Sequence, residues 1–189
     1  MKNMRAAVFA SGTGSNFESI MNDTERAVDV VLLVCDRSDA PVLEKAEKFG
    51  VEASVFHPKT FASKATYEQL VLDKLREMNV AWIFLAGYMR IIGETLLKNY
   101  EGRIINIHPS LLPQFPGKDA IGQAYRAGVR TTGVTVHYVD EGVDTGDVIA
   151  QREVPVLPDD TEDTLAERIQ QTEHQLYPAV IRQLLEQPE

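Results

Sequence analysis

Short apolar runs alternate along this chain with longer stretches in which apolar residues recur every three or four positions. The first pattern predicts strands and the second amphipathic helices. Residues 6–10 form the first apolar run, and Ser-Gly-Thr-Gly-Ser-Asn at 11–16 follows it directly, with a short helix opening near Asn16. Residues 28–35 are a nearly unbroken Val/Leu run, the pattern of a strand buried on both faces. In the helix predicted after it, Asp39 is the expected N-cap, Pro41 sits in the first turn and Gly50 is the stop. A third strand is predicted over 52–56. Over 64–78, Leu70, Val71, Leu75 and Met78 fall at helical spacing. The most apolar strand, 80–86, is the expected centre of the sheet. A helix near 94–100 then leads to a fifth strand at 103–107.

Strand alternating with helix to this point predicts a parallel sheet covered on both faces. The pattern then changes. A helix over 120–127 precedes two strands, 133–139 and 147–154, joined by 140–146. That connection is too short for a parallel crossover, so the pair is expected to be antiparallel. A last helical stretch, 163–185, aligns Leu165, Ile169, Leu176, Val180 and Leu184 on one face, and Pro178 is expected to kink or restart it. The expected fold is α/β: a doubly wound, mostly parallel sheet of about seven strands with an antiparallel pair near the C-terminal end and helices on both faces. No repeat or linker divides it, so residues 1–189 read as a single domain.

Composition supports that reading. With 189 residues, 44% hydrophobic and 25% charged, the chain is long enough to bury a core without disulfide or metal, and disorder, collagen and coiled coil are excluded as descriptions of the whole. The net charge of −9 makes it a poor general binder of nucleic acid or anionic membrane. Cys35 is the one cysteine, which leaves no internal disulfide and no cysteine-based zinc site. No run approaches the ~20 apolar residues of a spanning helix, and 6–10 is too short for a signal-peptide core, so a soluble cytoplasmic protein is expected.

Ligands of doubly wound sheets bind beyond the carboxyl ends of the strands. After the first strand, Gly12, Gly14, Ser15 and Asn16 make a loop whose amides at a helix start suit a single phosphate. Phe17 stands where a dinucleotide fingerprint would want a third glycine, and the Gly-Lys-Ser/Thr of a nucleotide-triphosphate loop is missing. A merely tight turn fits the same residues. After the fifth strand comes Asn106-Ile-His108-Pro-Ser-Leu-Leu-Pro113. Asn106 and His108, two apart, share a face of the strand. An amide that can hold an oxyanion beside an imidazole that can move protons suits acyl-group chemistry. Taken alone, an Asn-x-His more often satisfies backbone groups at a strand end. Leu112–Pro113 has the setting of a cis bond. In the acidic 140–147 segment, one carboxylate over the sheet edge would orient His108; a solvated hairpin connection is the plainer alternative.

The other candidates are weaker. His137 reads as a strand residue facing water or a neighbour, His57 lies in a polar loop and His174 in the last helix; the four histidines form no metal cluster. Cys35 and Ser110 lack the pattern of an activated nucleophile. Gln170 and Glu173 share a helix face that composition alone assigns to solvent.

Taken together the segments resemble a known family. Ser11-Gly-Thr-Gly-Ser-Asn16, Ala86-Gly-Tyr-Met-Arg90, Ile105-Asn-Ile-His-Pro-Ser-Leu-Leu-Pro113, Val136-His-Tyr-Val139 and Asp144-Thr-Gly146 fall in the order and spacing of the phosphoribosylglycinamide formyltransferases, and the resemblance covers essentially the whole chain. It implies direct formyl transfer from 10-formyltetrahydrofolate to the amine of glycinamide ribonucleotide, in purine biosynthesis, with no metal. By this resemblance Asn106 binds the formyl oxygen and oxyanion, His108 transfers protons, and Asp144 tunes His108. Gly14, Ser15 and Asn16 hold the ribonucleotide phosphate. Gln170 and Glu173 contact the rest of that substrate, Glu173 at its ribose. The folate pocket would be framed by Met89, Arg90, Ile91, Ile92, Asn106, Asp140, Glu141, Gly142, Val143 and Asp144, with Arg90 meeting the folate's glutamate carboxylate. Lys64 stands where the family often has Arg, keeping the charge without the bidentate fork.

The resemblance also implies a monomer or homodimer without nucleic-acid or membrane partners. Two alternatives remain at this level. A formyltetrahydrofolate hydrolase would put water in place of the amine, and a non-catalytic sensor would bind nucleotide or folate only. The phosphate loop argues against the first and the Asn106–His108–Asp144 set against the second.

Overall fold

The computed structural model describes residues 4–186. Seven strands, β1 (Met4–Phe9), β2 (Val28–Cys35), β3 (Glu52–Val55), β4 (Trp82–Leu85), β5 (Ile104–His108), β6 (Thr131–Tyr138) and β7 (Val148–Pro155), form one sheet in the order β3-β2-β1-β4-β5-β6-β7. The first five run parallel, and β6 and β7 each lie antiparallel to their neighbour. The doubly wound arrangement expected from the alternating pattern is present, with the change of direction at β5. Among the described residues no helix is long and apolar enough to cross a membrane.

Successive residues of β1 feed opposite faces, as strand geometry requires. Ala6 and Val8 pack with Phe17 and Ile20 of α1 (Ser15–Asn22), Val42 and Ala46 of α2 (Val42–Lys48), and Leu165, Ile169, Leu176 and Tyr177 of α6 (Glu162–Glu186). Ala7 and Phe9 pack with Val71, Leu72 and Leu75 of α3 (Lys64–Glu77) and Leu96 of α4 (Glu94–Asn99). A smaller helix, α5 (Ala120–Ala127), follows the loop after β5.

Three local expectations change. Asp39 does not cap α2: Pro41 occupies the N-cap position, and Asp39 instead pairs with Arg37 at the surface. Pro41 can hold that place because its fixed φ suits a helix start. Helix α6 does not restart at Pro178 but continues through it, anchored by the wholly buried Tyr177, whose hydroxyl lies 2.8 Å from the Leu85 carbonyl and 3.2 Å from that of Ile105. β7 extends to Pro155, a residue a strand tolerates because β7 is the sheet's edge.

Candidate active site

The carboxyl ends of β1, β4 and β5 lie side by side. Ser11 stitches the first two, its amide donating to the Gly87 carbonyl (3.1 Å) and its hydroxyl accepting from the Met89 amide (2.9 Å). The loop after β1 turns at Gly14, which has φ +75° and lies so close to Val42 that an added Cβ would stand 2.7 Å from the Val42 Cβ. Only glycine fits both conditions. α1 then begins, and Asn16 is buried with no hydrogen-bond partner for its Oδ1 among the described residues.

Asn106 and His108 do share one face of β5, as their spacing requires, and the antiparallel register sets His137 opposite Asn106 and Thr135 opposite His108. His108 is buried, with Nε2 2.9 Å from the Phe115 carbonyl. A carbonyl only accepts, so that nitrogen carries the hydrogen. Nδ1 is left facing Asp144, 3.4 Å from its Oδ2. His137 is equally enclosed. Its Nδ1 lies 2.7 Å from the Tyr138 carbonyl, which leaves Nε2 to accept from the Asn106 amide at 3.2 Å. The second N–H of that amide has no partner among the described residues and can serve a ligand. Nε2 of His137 also lies 3.6 Å from Asp144 Oδ1, so the carboxylate spans both rings.

Asp144 reaches this position because residues 140–146 fold back over the sheet. The Tyr138 amide donates to the Asp147 carbonyl (2.9 Å) at the base of the loop. Gly146 presses against the Tyr138 carbonyl with no room for a side chain. Asp140 Oδ1 accepts from the Gly142 amide (2.9 Å) and the Thr145 hydroxyl (2.6 Å). Asp144 itself has φ +55°, and its Oδ2 accepts from the Gly117 amide at 2.8 Å. Burial pushes its carboxyl up, yet the flanking His137 and His108 rings and the Gly117 amide together hold it below the ordinary 3.8. Thr135 orders the loop opposite: its hydroxyl donates to the Ser110 carbonyl (2.7 Å) and accepts from the Leu112 amide (3.1 Å), next to the cis Leu112–Pro113 bond.

These groups open on a cavity of about 740 Å³. Its walls include Asn16, Gln170 and Glu173 at one end and Met89, Arg90, Ile91, Ile92, Asp140, Gly142 and Val143 at the other, with Asn106, His108, His137 and Asp144 between. Glu173 is buried, not solvated, and burial pushes its carboxyl up to about 7, tempered by the Asn16 side chain. Gln170 is exposed at the rim. Arg90 carries an ion pair with Asp36, Nε to Oδ2 at 3.0 Å. Such a site, an amide and an imidazole–carboxylate pair lining one cavity, can hold an oxyanion and relay a proton.

A family model described as formyl transferase matches residues 4–181. The chain belongs to the formyl transferase family. It is 54% identical over 182 residues to the phosphoribosylglycinamide formyltransferase of Bacillus subtilis (strain 168), covering 95% of this chain and 93% of that one. Its fold superposes on the solved glycinamide ribonucleotide transformylase 1 of Geobacillus kaustophilus with a TM-score of 0.93, at 60% identity over 96% of this chain and 98% of the other. The phosphoribosylglycinamide formyltransferase structure from Bacillus halodurans gives a TM-score of 0.94 at 49% identity, covering 98% and 97%.

Within this formyl transferase the cavity gathers most of the residues singled out in the sequence. Of those given a role by the resemblance, four do not line it. Gly14 and Ser15 turn the chain behind Asn16, Glu141 is exposed on the loop, and Lys64 is exposed at the start of α3, beside Gly93. Of the two settings expected for His137, water or a neighbour, the structure gives the second: it is buried beside Asn106 and Asp144 and completes the cluster. The antiparallel register that pairs it with Asn106 was the available signal, since cross-strand neighbours share a face.

Proposed function

We propose that this formyl transferase moves a formyl group from 10-formyltetrahydrofolate to the amine of glycinamide ribonucleotide, a step of purine biosynthesis in the cytoplasm. The observation that carries this reading is the Asn106–His137–Asp144–His108 cluster lining one cavity, in a chain 54% identical to a protein named for that reaction.

At one end, the amides of Gly14, Ser15 and Asn16 hold the ribonucleotide phosphate at the start of α1. Glu173, with Gln170 beside it, receives the ribose hydroxyls and glycinamide. At the other, the folate ring lies between residues 89–92 and 140–144, its tail carboxylates toward Arg90 and, more distantly, Lys64. The amine attacks the formyl carbon to give a tetrahedral adduct, and collapse of that adduct breaks the bond to the folate nitrogen, which leaves. Asn106 donates its free N–H to the oxygen as negative charge develops there. The attacking nitrogen must lose a proton and the folate nitrogen must gain one. His108, held with Nε2–H on the Phe115 carbonyl, presents Nδ1 to Asp144, and the two groups pass the proton.

The test is a spectroscopic assay of tetrahydrofolate release. Release is expected only when glycinamide ribonucleotide and 10-formyltetrahydrofolate are both present. Release from the folate alone would reassign the chain as a hydrolase, and none in any mixture would make it a binding module.

A further inference from the structure

Asp36 follows β2 directly, and its side chain is only 3% exposed. A carboxylate removed from water is costly unless it is paired. Its Oδ2 accepts from Nε of Arg90, whereas its buried Oδ1 has no partner among the described residues. The nearby hydroxyls of Tyr67 and Tyr88 hydrogen-bond to each other instead. Among the described residues Arg90 is therefore the one side chain that hydrogen-bonds to this carboxylate. The Arg90 side chain, by contrast, is 43% exposed and lines the cavity. A guanidinium has a side fork that includes Nε and an end fork of its two Nη atoms. Asp36 takes the side edge, and the Nη atoms make no hydrogen bond among the described residues.

We propose that Asp36 is a positioning residue that grips Arg90 by Nε and aims its free Nη fork into the cavity, where that fork takes a tail carboxylate of the formyl donor. This rests on the donor assignment above. The chemistry asks for such an anchor, because an end-on fork binds a carboxylate through two parallel hydrogen bonds only if its plane is fixed. Asp36 supplies that plane from inside the protein, where water competes least.

The test compares 10-formyltetrahydrofolate with 10-formyltetrahydropteroate, which lacks the glutamate. Dissociation constants come from calorimetry and kcat and KM from turnover. Asp36→Asn is expected to cut the preference for the tailed donor about tenfold, through affinity and KM, leaving kcat and the ribonucleotide KM unchanged. In an Arg90→Gln background the same substitution should change nothing further, because it acts through Arg90. An unchanged preference, a tighter tailed donor, or an equal effect in the Arg90→Gln background would each overturn the proposal. Should Asp36→Asn fail to fold, Asp36→Glu keeps the charge while displacing the anchor, and full retention of the preference would overturn it equally. Failure of the donor assignment looks different: the wild-type protein would then release no tetrahydrofolate, and neither donor would bind.

Discussion

The Asn106 amide lies 3.2 Å from Nε2 of His137, its direct cross-strand neighbour. That contact fixes which end of the amide faces the cavity, because a neutral Nε2 accepts and so selects the NH₂ end. Asn106→Ala should lower kcat by ~10²–10³-fold, the usual loss for one oxyanion donor. His137→Leu leaves the amide free to flip and should cost roughly tenfold, a smaller loss because the donor itself remains. Steady-state kinetics on both variants checks the order. A larger loss at His137 than at Asn106 would mean that the imidazole acts on substrate directly.

Asp144 is the second target. Its carboxyl is held below 3.8, so it is ionised throughout the neutral range. Asp144→Asn removes the charge facing His108 and should lower kcat by at least ~10²-fold while moving the acid limb of the rate profile. Stability gives an independent sign. A lowered folded value means the ionised group stabilises the fold above its unfolded value, and that contribution is lost as pH falls through the folded one. Melting curves of wild type and Asp144→Asn should therefore converge on acidification below pH 3.8 and separate above it.

Glu173 runs the other way. Its carboxyl is raised from 4.5 to about 7. The fold favours the neutral form, so this group's contribution to stability is full below the unfolded value and lost as pH rises from 4.5 through about 7. Glu173→Gln, neutral at every pH, should melt higher than wild type at pH 8, by up to about 3 kcal/mol, and match it near pH 4. It should also raise the ribonucleotide KM. Equal melting temperatures at pH 8 would show that the buried carboxylate is better solvated than its surroundings suggest.

Gly14→Ala tests the phosphate turn. The added methyl meets Val42 at a backbone φ of +75°. The expected cost is about 1–3 kcal/mol of stability, with a rise in the ribonucleotide KM. Thermal denaturation and kinetics at saturating folate read the two effects separately. Val42→Ala should recover part of the stability, because it removes the methyls that the new Cβ meets.

Much of the fold was legible because each element's burial is written in its periodicity. The Val/Leu run of β2 has helices on both sides of the sheet, so it shows no alternation to misread. Asp39 misled because short-range capping preference competes with a salt bridge two residues away, to Arg37. At the site, Asn106 and His108 could be placed by spacing within a single strand. His137 and Asp36 could not: one depends on the register between strands and the other on a partner at Arg90, 54 positions along the chain. Glu173 was hidden for a related reason. A helix face that is polar in composition is read as solvated, and only the packing of α6 over the strand ends encloses it.

The loop that carries Asp144 is pinched at its root, where Gly146 presses on the Tyr138 carbonyl and the Tyr138 amide is bonded to Asp147. It is a bracket more than a flap. Lifting it would cost the Asp144 carboxylate its Gly117 amide and its place beside both imidazoles, so the bonds that hold the loop down are the bonds that place the charge. Beside it Met89, Ile91 and Val143 line the cavity, three large apolar side chains left facing solvent. A flat heterocycle laid against them would shed water before it met a charge.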